Sequence, residues 1–250
     1  MDYQLERKIL TFKEVESTQK IARHFLHQGK AVHGLVIQAA SQTGGIGQKN
    51  RSWYSPLGGL WLSVILLKEL PLSYFSGFSI RIGLSIIAEL EKKLPLNFKL
   101  KWPNDLILAG KKVGGILTDL HSKGDFLQHL VLGIGINVNN EISSFPLEIR
   151  NQAISIKDLL EKKPVSLIEI RENVLNAIDI VLESFQKQPI RNLASLWNRR
   201  SLTFNQPVNF LFNNKIFRGI EKGITPIGEL KLKIDDKIKS FSTGRIISHG

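Results

Sequence analysis

Residues 98–138 read FKLKWPNDLILAGKKVGGILTDLHSKGDFLQHLVLGIGINV. Four apolar-rich runs succeed one another there: Phe98–Trp102, Asp105–Leu108, Val113–Leu120 and Leu127–Val138. Turn residues at Pro103-Asn104, Ala109-Gly110 and Ser122–Gly124 separate them, which predicts strands in an antiparallel meander. Upstream, Leu35–Ala40 and Leu60–Lys68 read as two more buried strands. Ile21, Ala22 and Phe25 repeat with helical spacing between Ser17 and Gly29, and Ile82, Ile86, Ile87 and Leu90 do so within Phe75–Lys93. Downstream, Leu167–Gln186 and Ile190–Arg200 read as helices that close a large unit, residues 1–200. From Ser201 the runs shorten to Pro207–Phe212, Lys215–Ile220, Glu229–Ile234 and Ser240–Ile246, and residues 201–250 are expected to form a small β-barrel. The expected fold class is therefore α/β (α+β), with a mixed, mainly antiparallel sheet.

A chain of 250 residues with 42% hydrophobic and 22% charged residues can build a sizeable core without staples. It has no cysteine, which excludes disulfides, thiolate metal sites and a cysteine nucleophile. The first ten residues, MDYQLERKIL, carry charges where an export signal would place its apolar run, and Leu60–Leu67 is too short to span a bilayer. A cytoplasmic protein without a membrane partner is expected. The formal net charge of +12 comes from scattered residues and short lysine pairs such as Lys92-Lys93, Lys111-Lys112 and Lys162-Lys163. A solvated surface accounts for it; an anionic ligand or an acidic protein partner would use it; a nucleic-acid interface would need a denser basic stripe.

Four segments place glycine or polar residues where a plain core has no use for them. Gly44-Gly45-Ile46-Gly47-Gln48-Lys49-Asn50-Arg51 allows close backbone approach to an anion, with Lys49 and Arg51 adding charge. It is neither a Walker loop nor a dinucleotide fingerprint, and a flexible surface loop fits it equally well. Lys101-Trp102-Pro103-Asn104-Asp105 suits a turn, yet sets a lysine beside a tryptophan at a strand end. In Lys112-Val113-Gly114-Gly115-Ile116-Leu117 the two glycines mark a bulge or a close approach by a ligand. Gly133-Ile134-Gly135-Ile136-Asn137 repeats that pattern and buries an Asn that needs partners, supplied by backbone or by a nucleotide.

Taken in order, together with Glu16-Ser17-Thr18-Gln19, Gln42-Thr43 and Trp53-Tyr54-Ser55-Pro56, these segments resemble the signature of the biotin–protein ligase family along essentially the whole chain. The resemblance implies a sheet with helices on one side, like the catalytic core of class II aminoacyl-tRNA synthetases, followed by a small SH3-like barrel. It implies that biotin's carboxylate attacks the α-phosphate of ATP, with Mg2+ as counter-ion. A lysine of a biotin carboxyl carrier protein of a carboxylase then takes biotin from biotinyl-5′-AMP.

By the same resemblance Lys112 bridges carboxylate and α-phosphate, Lys101 and Arg51 add positive charge, and Asp105 either orients a lysine or holds the metal. No residue is assigned as a protein metal ligand. Ser17, Thr18 and Gln42 meet the ureido ring, and Gly115 and Gly133 line the pocket. Trp53 covers the adenine and Asn137 contacts the nucleotide. Gln19, Gly45, Ile46, Gly47, Gln48, Asn104 and Leu117 complete the implied biotin and ATP contacts.

The family loop usually reads Gly-Arg-Gly-Arg, whereas this chain has Gly45-Ile46-Gly47-Gln48; Ile46 can replace an arginine that acts through its backbone amide, but if the arginine side chain holds the adenylate, weaker retention is expected. With the Ser-Thr segment at residue 17, no DNA-binding winged helix is expected, hence no DNA partner; a homodimer stays open. A lipoate–protein ligase, a basic nucleic-acid-binding protein and an inactive biotin-binding relative are the alternatives. Octanoyl transferases of the superfamily use a cysteine, and this chain has none.

Overall fold

The structure, a computed structural model, describes residues 7–187 and 192–249. The start of the helix expected at Ile190, and most of the N-terminal stretch read as lacking an export signal, lie outside the described residues. The chain order is β1 (Ile9–Val15), α1 (Thr18–His27), β2 (Val36–Gln42), β3 (Leu60–Leu66), α2 (Phe78–Glu91), β4 (Lys99–Lys101), β5 (Asp105–Leu108), β6 (Lys111–Lys123), β7 (Phe126–Ile136), α3 (Leu147–Arg150), α4 (Leu167–Lys187) and α5 (Leu193–Arg200). Then follow β8 (Pro207–Phe212), β9 (Lys215–Ile224), β10 (Leu230–Ile234), β11 (Lys237–Phe241) and β12 (Arg245–His249).

Seven strands form one sheet in the order β1-β2-β3-β7-β6-β5-β4. Its pairs are antiparallel except for β1 with β2. The meander expected over residues 98–138 is present as β4 to β7. The strand β1 was not anticipated; its parallel pairing needs α1 as the crossover.

β3 reads LWLSVIL and is buried at every position, because both faces of the sheet are covered around it. Leu60, Leu62, Val64 and Leu66 pack with Ile82, Ile86 and Leu90 of α2 and with Val174 and Ile178 of α4. The alternate residue Ile65 packs with Ile37, Val131 and Ala22 of α1 on the opposite face. The expectation of helices on one side therefore holds for α2 and α4 and fails for α1. The reason is α1's apolar stripe, which needs its own face of the sheet.

The last five strands form an antiparallel sheet in the order β11-β10-β9-β8-β12. One strand was expected over Ser240–Ile246, where Ser242-Thr243-Gly244 instead divides β11 from β12. In a flat sheet β8 and β11 would stand about 14 Å apart, yet the Phe210 and Phe241 rings meet at 4.8 Å. The sheet is thus curled about an aromatic core. Among the described residues no ladder joins β11 to β12, so the pairing shows a curled sheet where the resemblance implied a barrel.

The two sheets are joined near Lys101. Leu202 N–H donates to Leu100 O at 2.8 Å. Trp102 is 2% exposed, donates from Nε1 to Gly228 O at 3.0 Å, and sets its ring against Phe210 at 5.9 Å. Burial of this indole between the sheets explains why a tryptophan follows β4.

Candidate active site

The sheet face opposite α2 and α4 floors a cavity of about 740 Å³. Register decides which side chains reach it. Lys101 pairs with Asp105, Asp105 with Gly115, Gly115 with Gly135 and Gly135 with Trp61, so one row crosses five strands on this face. The next row holds Leu117, Gly133 and Ser63.

Plain alternation would put Lys112 on the same face as Gly114, toward the core. Ile107 pairs with Lys112 but Leu106 pairs with Gly114, so Val113 is an extra residue, a β-bulge. The bulge returns Lys112 to the face of Asp105 and Gly115. Its Nζ lies 2.5 Å from Asp105 Oδ1 and 4.9 Å from the centre of the Trp53 ring. Lys112 N–H also donates to Gln152 O at 2.7 Å, which seats the 152–154 segment against β6.

At the other end of the cavity the groups are neutral. Ser17 takes the N-cap position of α1 with extended backbone (φ −160°, ψ 133°), but its hydroxyl makes no capping bond. Gln42 does that work, its Oε1 accepting from Thr18 N–H at 2.8 Å and lying 3.2 Å from Thr18 Oγ1. Gln42 Nε2 in turn donates to Ser55 Oγ at 2.7 Å. Ser63 Oγ lies 2.9 Å from both Thr18 Oγ1 and Gln19 Oε1, and Gln19 Nε2 donates to Val131 O at 3.1 Å.

Ser17 Oγ is thereby left buried without a partner among the described residues, as is Trp53 Nε1. Each such group costs about 1–3 kcal/mol until something pairs with it. Both residues line the cavity.

Glycine at two positions is required by space. A Cβ on Gly135 would lie 2.6 Å from Trp53 Nε1, and one on Gly133 2.9 Å from Gln19 Oε1. The Trp53 indole can lie against β7 because Gly135 has no side chain.

The glycine loop folds back on itself. Ile46 bridges Ser52, Gly47 N–H donates to Arg51 O at 2.7 Å and Trp53 N–H to Gly45 O at 2.9 Å. Asn137 is 2% exposed; its Oδ1 accepts from Asn140 Nδ2 at 3.1 Å. Asn104 anchors the turn after β4 through Nδ2 to Ile116 O.

Charge is concentrated at the β4–β6 end. Lys101, Lys112, Arg51 and Arg245 all border the cavity, and Asp105 is the single acidic residue among its described lining. Burial pushes the Lys101 ammonium below the usual lysine range; Asp105 opposes that shift, while Lys112, Arg245 and Arg51 add to it. Among the described residues no group of three or more His, Cys, Asp or Glu side chains is arranged to hold a metal ion.

Ser17, Thr18, Gln19, Gln42, Ile46, Gly47, Gln48, Arg51, Trp53, Lys101, Asn104, Asp105, Lys112, Gly115, Leu117, Gly133 and Asn137 are brought together around this one cavity. Gly45 is not in its lining; it sits behind the loop, where a Cβ would strike Trp53 O at 2.3 Å. Ser63, Gly135 and Arg245 were not anticipated. Ser63 was visible as the one polar break in the apolar run 60–67, and Gly135 as the second glycine of its motif. Nothing in the sequence pointed to Arg245.

A model of the biotin/lipoate A/B protein ligase family matches residues 11–137, and one of the biotin protein ligase C-terminal domain matches residues 203–248. The chain belongs to the biotin/lipoate A/B protein ligase family. Within it, the bifunctional ligase/repressor BirA of Bacillus subtilis is 29% identical over 233 residues, 93% of this chain and 71% of that relative. The BirA of Escherichia coli is 31% identical over 224 residues, 87% and 67% of the two chains. Among solved structures of the family, the biotin protein ligase of Aquifex aeolicus in complex with biotin and ATP superposes with a TM-score of 0.81 at 28% identity, covering 96% of this chain and 97% of that one.

Proposed function

We propose that this ligase-family chain forms biotinyl-5′-AMP from biotin and ATP and transfers the biotin to a lysine of a biotin carboxyl carrier protein. One observation carries the reading: the cavity is bipolar. Neutral donors and acceptors from Ser17, Thr18, Gln42 and Ser63 lie at one end, suited to a ureido ring. Lys101, Lys112 and Arg51 lie at the other, suited to a carboxylate meeting a triphosphate. The Aquifex relative, solved with biotin and ATP, supports the same pairing of ligands.

Two anions must approach one another in the first step. Lys112, held by Asp105, is placed to lie between biotin's carboxylate and the α-phosphate. Lys101 and Arg51 offset the remaining charge, and Trp53 and the glycine loop keep water from the mixed anhydride. The ion pair supports Asp105 as the residue that orients Lys112. Among the described residues no group of three or more His, Cys, Asp or Glu side chains forms a metal cage, and in this reading Mg2+ enters with the phosphates of ATP.

We take residues 1–200 as the catalytic unit and 201–250 as the second unit, and place the activity in the cytoplasm. No helix among the described residues is long and apolar enough to cross a membrane. Biotin is favoured over lipoate by the C-terminal domain match. ATP–pyrophosphate exchange, run with biotin or lipoate singly, tests this. Exchange that depends on biotin supports it, and exchange with lipoate alone overturns it.

A further inference from the structure

The cavity has a contributor from the second sheet. Arg245 opens β12 and pairs with Leu211 of β8, and it borders the cavity together with Lys101, Lys112 and Arg51. Its place is set tightly. Gly244 precedes it at φ 124°, and a Cβ there would strike Phe210 Cζ at 2.4 Å, so the chain passes directly over the Phe210 ring. That ring touches Trp102, the neighbour of Lys101. Two packed aromatic rings therefore fix the spacing between Arg245 and Lys101.

Arg245 forms no ion pair among the described residues, and the one carboxylate in the lining is already engaged by Lys112. With Lys111 also in the lining, five cations against one carboxylate leave an excess of positive charge that a polyanion would offset. The depressed pKa of Lys101, to which Arg245 contributes more than Arg51 does, is in keeping with that crowding.

We propose that Arg245 is a further nucleotide-binding residue of the adenylation step, its guanidinium holding the β- and γ-phosphates of ATP. The proposal rests on the adenylation reading above. In that step a carboxylate oxygen of biotin forms a bond to Pα. The bond from Pα to the bridging oxygen breaks, and its electron pair leaves with pyrophosphate. No proton or redox partner is needed. A planar guanidinium binds two phosphate oxygens at once, which suits a leaving group whose charge grows as the bond breaks.

Full-length Arg245→Ala and Arg245→Lys are compared with the wild-type chain in two assays. One is biotin-dependent ATP–pyrophosphate exchange. The other is transfer from preformed biotinyl-5′-AMP to a biotin carboxyl carrier domain. Arg245 is exposed, so both variants are expected to melt as the wild type does.

The expected result for Arg245→Ala is a KM for ATP and for pyrophosphate raised about ten-fold. KM for biotin and the transfer rate should stay unchanged, and Arg245→Lys should recover part of the loss. Unchanged KM values for ATP and pyrophosphate overturn the proposal. A defect confined to transfer also overturns it and assigns Arg245 to an acidic carrier surface. A wild-type chain with no biotin-dependent exchange overturns the function reading itself, and this proposal with it.

Discussion

Lys112 is held from three sides: Asp105 at its ammonium, the Trp53 ring beneath it, and Gln152 at its backbone N–H. Such a side chain is placed before substrate arrives, which is the condition for electrostatic catalysis. Lys112→Ala is expected to lower the rate of biotin-dependent pyrophosphate exchange by about 10²–10³-fold while the chain still melts cooperatively. An unchanged rate would move the bridging role to Lys101. Ile46 lines the cavity at the loop position where the resemblance implies an arginine. Ile46→Arg should therefore slow the escape of free biotinyl-5′-AMP, measured by separating free from bound intermediate after one turnover; equal escape rates would show that only the backbone of this residue matters. At this scale the sequence was informative wherever a residue type is costly without a reason, as with Lys112, Asn137 and the paired glycines. It said nothing of Arg245, because an arginine in a polar edge strand carries no such cost.

At the level of elements, the bulge at Val113 was foreshadowed by two glycines inside an apolar strand. Its consequence, the return of Lys112 to the ligand face, could not be read without the register of β5 against β6. The capping of α1 is similar. Ser17 takes the N-cap position, and only the placement of β2 reveals that Gln42 serves the helix and leaves the serine hydroxyl unpaired among the described residues. Strand β7 makes a testable demand on its neighbour. In Gly135→Ala the new methyl would stand 2.6 Å from Trp53 Nε1, so the indole must move. The expected outcome is a red-shifted tryptophan emission and biotin affinity weakened about ten-fold. Wild-type emission together with wild-type affinity would show that β7 shifts instead. The parallel pairing of β1 with β2 was invisible in the sequence, since strand partners far apart along the chain leave no local mark.

In the whole molecule, two sheets meet at a joint whose centre is Glu221. This carboxylate is fully buried and accepts from Trp197 Nε1 and Ser201 Oγ, both at 2.8 Å, and from Thr203 Oγ1. Burial pushes its pKa above the usual carboxylate range, against the pull of those hydrogen bonds. Between the ordinary carboxylate pKa and the raised one, the folded state holds a proton that the unfolded chain has released. Its contribution to stability is complete below the ordinary carboxylate pKa and is lost as pH rises through the raised one. Urea unfolding at a series of pH values should show stability falling over that interval in the wild type, and a flatter profile in Glu221→Gln; identical slopes would place the titration elsewhere. Glu221→Ala, which strands three donors, should cost roughly 3 kcal/mol. The sequence foretold most of the antiparallel meander and the long helices, but the joint depends on contacts such as Trp102 with Gly228, 126 positions apart. The cavity inherits that long reach, since its walls run from Ser17 to Ser248. During synthesis on the ribosome, β12 is the last of its walls to emerge. A nascent chain stalled before Arg245 would carry the biotin end of the cavity and an unfinished phosphate end, so catalytic competence should switch on only once β12 has emerged.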